Sequence, residues 1–125
     1  MMEGFNLGAW GVRIFDNDTA LDVQDEFHHR LKLRMTVKEA LQSTVDGFKK
    51  SYYDEDVVFA LVALQMKYNE VVNEELFTKA KEFAVDETRL PDWREPEERK
   101  KALDDFLKEI EKFEKESEDN VNVNQ

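Results

Sequence analysis

The sequence predicts an all-α fold, a single-domain bundle of about five helices with an irregular N-terminal arm. Three observations lead there. Val57 to Met66 reads VVFALVALQM, the one long apolar run in the chain, and a helix that is apolar on every face is normally surrounded by others. Only four glycines and two prolines occur, and three of the glycines fall within the first eleven residues, so little interrupts a helix beyond Gly11. Segments on both sides of the run repeat their apolar residues at helical spacing, and capping residues precede them.

The opening segment, residues 1–16, carries Gly4, Gly8 and Gly11 among Phe5, Leu7, Trp10, Val12, Ile14 and Phe15. It is too apolar for a free tail and reads as an arm whose glycines permit turns or close backbone approach. Asp16, Asn17 and Asp18 are all good N-caps. One of them is expected to open a first helix running from about Asp18 to Leu33. Its inward face would hold Ala20, Leu21, Gln24, Phe27, His28 and Leu31, with Asp18, Asp22, Asp25 and His29 opposite. A second helix starts at Thr36-Val37-Lys38-Glu39, a capping box, with Val37, Ala40, Leu41, Thr44, Phe48 and Tyr52 as its inward stripe. Gly47 lies within that stretch and either permits a close helix crossing or is merely tolerated.

The central helix follows from Asp54 to about Tyr68 or Asn69. Its alanine and leucine content and the acidic Asp54-Glu55-Asp56 lead-in favour helix, with a buried strand as the alternative for a short apolar run. Asn73 caps a fourth helix that turns Leu76, Phe77, Ala80, Phe83 and Ala84 inward and stops near Asp86. The connection from Thr88 to Glu95 carries Trp93 as a docking anchor, and Pro96 suits the first position of a last helix. There Leu103, Phe106, Ile110 and Phe113 form a stripe, widened by Leu107. It packs against the bundle or seams a homodimer. Glu97 to Lys101, Asp104 to Lys108 and Glu111 to Lys115 are favourable i to i+4 pairs. The domain is expected to span residues 1–115, and residues 116–125, without an apolar face, to form a disordered tail.

Composition narrows the function classes. The 125 residues include 29 acidic and 18 basic side chains, a formal charge of -11. Such a chain repels nucleic acid and anionic membrane surfaces and suits a basic protein partner. There is no cysteine, which removes disulfides, thiol catalysis and thiolate metal sites. The N-terminus lacks the basic and apolar regions of a signal peptide, and no apolar run approaches a membrane span, so a cytoplasmic location is expected.

Asp18, Asp22, Asp25 and His29, spaced four, three and four apart, line one side of the first helix. That set of carboxylates and an imidazole suits hard-cation or transition-metal ligation. Residues on one straight helix nevertheless spread along roughly 16 Å at 1.5 Å per residue, so at most two neighbours share an ion. A solvated face is the plainer reading. His28, at the border of the apolar face, reads as a packed, hydrogen-bonded histidine. No nucleophile elbow, phosphate-cradling glycine loop or HExxH motif is present, and no cofactor is implied. Trp10 and Trp93 read as core anchors before ligand platforms.

Gly8, Trp10, Gly11, Phe15, Asn17, Asp18, Ala20 and Asp22 together resemble the GxWGxxxFxNDxAxD signature of an uncharacterised bacterial family known only as a domain of unknown function. That family often has Gly and Pro where this chain has Arg13 and Ile14. Trp93, Arg99, Leu103 and Leu107 resemble its tryptophan and arginine near the start of the last helix. The resemblance implies a small, mainly helical domain and brings no activity. The expected function is a non-enzymatic protein-binding module, an immunity-type inhibitor of a basic toxin being one version. Its candidate partner-binding residues are Asp16, Asn17, Asp18, Asp22, Asp25 and His29. The alternative is a metal-binding protein or metal-dependent enzyme using the Asp and His residues of the first helix with Asp54 to Asp56.

Overall fold

The computed structural model describes residues 14–15, 17–88 and 97–123, with side-chain surroundings given for 14–15, 17–86 and 100–116. The arm before Ile14, Asp16, the connection with Trp93, and Pro96 lie outside the described residues. Five α-helices follow one another within them: α1 (Asp18–Lys32), α2 (Val37–Gly47), α3 (Glu55–Lys67), α4 (Glu74–Thr88) and α5 (Glu97–Val123), with a 3-10 turn at Lys49–Ser51 between α2 and α3. No strand occurs among the described residues. None of the described helices is long and apolar enough to cross a membrane.

Helix α3 is the centre. Every residue from Val57 to Met66 is buried, which settles the choice between helix and strand for this run. Asp54 caps its start by accepting from the Asp56 amide at 2.9 Å. Helices α1, α2 and α4 pack around it. Helix α5 packs along α4 and reaches α3 through Phe106, whose ring meets Phe59 edge-on at 5.5 Å between centroids. Phe59 also meets Phe83 of α4 edge-on at 6.3 Å, the arrangement aromatic quadrupoles prefer.

Asn17 caps α1, accepting from the Ala20 amide at 2.7 Å. The helix buries Ala20, Val23 and Phe27. This corrects the inward face expected from the sequence, because Leu21 is 41% exposed. Leu21 stands about 100° around the helix from Ala20, whereas Val23, Phe27 and Leu31 all fall within one narrower stripe beside it. In α2 the capping box forms as expected: Glu39 N donates to Thr36 Oγ1 at 3.1 Å and Thr36 N to Glu39 Oε1 at 2.9 Å. Ala40, Leu41, Thr44 and Val45 are buried. Phe48 and Tyr52 pack against the core too, but from beyond the helix end. Gly47 is the last residue of α2, and a Cβ there would meet only the Arg30 guanidinium at 3.7 Å, an ordinary contact. No close crossing depends on it.

Asn73 caps α4, accepting from the Leu76 amide at 3.2 Å. Along the α4–α5 contact Phe77 and Phe113 stack at 5.7 Å and Lys81 pairs with Glu114 at 2.7 Å. Leu103, Phe106 and Ile110 are buried within the single chain. On the outer side Asp104 pairs with Lys108 at 3.1 Å as its spacing predicts, while Lys101 pairs with Asp105 at 3.3 Å. Such exposed pairs contribute about 0.3–0.5 kcal/mol each. Helix α5 continues to Val123, past Glu116, where the sequence reading starts a disordered tail. Residues 117–123 contain no glycine or proline to stop it, and residues 124–125 lie outside the described residues.

Two helix ends close without glycine. Arg34 (φ 70°) and Asn69 (φ 52°) take the left-handed conformation after α1 and α3. Arg34 N donates to Leu31 O at 3.0 Å and Met35 N to Arg30 O at 3.4 Å. Asn69 N donates to Met66 O at 3.1 Å and Glu70 N to Gln65 O at 3.0 Å. Both sets are the paired bonds of a Schellman turn, which satisfy carbonyls a helix end leaves open.

Gln65 is the one polar residue of the central run and is fully buried. Its Nε2 donates to Leu61 O at 3.3 Å, and its Oε1 accepts from Val72 N at 2.8 Å and Asn73 N at 3.0 Å. The side chain thus holds the α3–α4 connection from inside the core, and the connection in turn positions the Asn73 cap.

Gln65→Leu is expected to lower stability by about 2–4 kcal/mol in urea denaturation, because two amides lose their acceptor in a water-poor place. Arg34→Gly is expected to leave stability unchanged or raise it by up to about 1 kcal/mol, since the left-handed strain of a non-glycine residue exceeds glycine's extra chain entropy. A clear loss on Arg34→Gly would mean that the side chain, not the backbone, matters there.

Candidate functional site

The outer face of α1 is built by the same rotation that buries its other side. With Ala20, Val23 and Phe27 packed inward, residues half a turn away must face water. Asp18, Asp22, Asp25 and His29 are all exposed. Asn17, adjoining them, is half-buried and its side-chain oxygen is engaged in the cap. Its role is to start the helix. Asp16 lies outside the described residues.

Charge along α1 is graded. Asp18 occupies the first turn, and His29, Arg30 and Lys32 the last, an order that suits the helix dipole. Glu26 is drawn off the acidic line by an ion pair with Arg30, and Arg30 Nε also donates to Ser43 Oγ on α2 at 2.7 Å. That bridge ties α1 to α2 and leaves Asp18, Asp22 and Asp25 as the outward acids.

Among the described residues no three His, Asp or Glu side chains converge closely enough to hold a metal ion. Asp54, which the metal reading recruits, spends its carboxylate on the start of α3. His28 is half-buried, its ring 5.7 Å from that of Phe27 and tilted by 48°. Trp10 and Trp93 lie outside the described residues.

An open concavity of about 490 Å³ runs along α2, lined among the described residues by Lys38, Glu39, Gln42, Ser43 and Asp46. Lys38 and Glu39 belong to the capping-box segment recognised in the sequence, whereas no motif marks Gln42, Ser43 or Asp46. Glu39 serves the capping box, Gln42 donates to Asp46 at 3.1 Å and Ser43 accepts from Arg30.

Tyr52 closes the far end of α2, its hydroxyl donating to Val45 O at 2.8 Å. Burial raises its pKa above the ordinary 10.0, and the nearby Asp46 and Glu75 carboxylates add to this, while a hydrogen bond with the Asn73 side chain opposes it. Tyr68, whose ring sits 5.0 Å from Phe27, is raised by burial. Tyr52, bonded to the Val45 carbonyl, and Tyr68, set against Phe27, both pack on the core and read as packing groups.

The sequence model of a family described as a domain of unknown function, DUF4259, matches residues 8–122, and the chain belongs to that family. No curated protein and no solved structure matches it.

Tyr52→Phe is expected to lower stability at neutral pH by about 1 kcal/mol, the net worth of one hydrogen bond. The sign with pH follows from the raised folded pKa. The Tyr52 contribution is complete below about 10 and is lost as pH rises through the folded value, because the unfolded phenol ionises first. Urea midpoints measured from pH 7 to 11 should therefore fall less steeply for Tyr52→Phe than for the parent. Tyr68, raised by burial as well, contributes to the slope that remains.

Proposed function

We propose that this member of the DUF4259 family is a non-enzymatic protein-binding module of the cytoplasm, which docks a basic protein on the outer face of α1. The observation that supports this reading is the line of Asp18, Asp22 and Asp25, exposed on a helix whose opposite side is locked into the core. A net charge of -11 extends the same negative field beyond the helix. Such a field steers a cationic partner into encounter and repels nucleic acid. A rigid face costs little to order on binding.

One version is an immunity-type inhibitor that covers a cationic toxin such as a nuclease. Size, charge and the lack of a catalytic motif support it, and a toxin that binds phosphate backbones would present the required basic surface. The metal reading draws less support, since the α1 acids spread along one axis and no three metal-capable groups converge among the described residues.

The test is capture from native cell extract at low and high salt, with the parent chain and with Asp18→Asn/Asp22→Asn/Asp25→Asn. The parent is expected to enrich a basic protein at low salt and release it at high salt, and the triple variant to capture at least tenfold less. The variant should stay within about 1 kcal/mol of the parent's stability, because only the first-turn Asp18 interacts favourably with the helix dipole. Failure of the parent to enrich any basic protein, or equal capture by the variant, overturns the reading.

A further inference from the structure

We draw no further inference here: the strongest candidate, the open concavity along α2, carries nothing, because Glu39, Gln42, Ser43 and Asp46 within it are already engaged with other side chains or the helix cap and no unpartnered buried side chain among the described residues points into it.

Discussion

Helix α3 has no side it can show to water, and the remainder of the molecule follows from covering it. Each buried Val, Leu, Phe or Met contributes about 1.5–3 kcal/mol relative to exposure, so leaving even one side of VVFALVALQM wet would cost more than a domain this size can spare. One neighbour cannot shield a cylinder. Helices α1, α2 and α4 therefore pack around it, and Phe106 brings α5 into the same cluster. The polar exception inside that helix, Gln65, is tolerated because both ends of its amide are satisfied.

The same requirement decides what faces outward. Once Ala20, Val23 and Phe27 turn toward α3, the acids of α1 have no choice of direction. Their exposure is a by-product of packing before it is anything else. The docking face proposed above is charged and exposed, while the N-cap and the tie to α2 fall to Asn17, Glu26 and Arg30.

Much of this was legible in the residues. The apolar run, the Thr36 to Glu39 capping box, the Asn73 cap and the stripe of α5 each rest on interactions a few residues apart, and short-range chemistry survives in sequence. The phase of α1 did not, because Leu21 and Val23 are both apolar and only the position of α3 decides between them. Phe48 and Tyr52 continue the α2 stripe by spacing although the helix has already ended. The left-handed Arg34 and Asn69 carry no glycine to announce the turns they make. The line of Asp18, Asp22, Asp25 and His29 could be drawn from spacing alone. That no other described element lends it a third ligand is a property of the assembled bundle. Gln65 stood in plain view as the one polar letter in the run, and what it reaches for lies seven and eight positions downstream.

That reach fixes a dimension of the chain. Val72 and Asn73 must arrive at one oxygen after the backbone has reversed through Asn69, so the span between the two helices behaves as a measured strap and not as slack. Adding or removing a residue there would carry both amides away from their anchor and shift the register of α4 against the core. Changes in chain length among relatives built on this plan should accordingly collect at other joints.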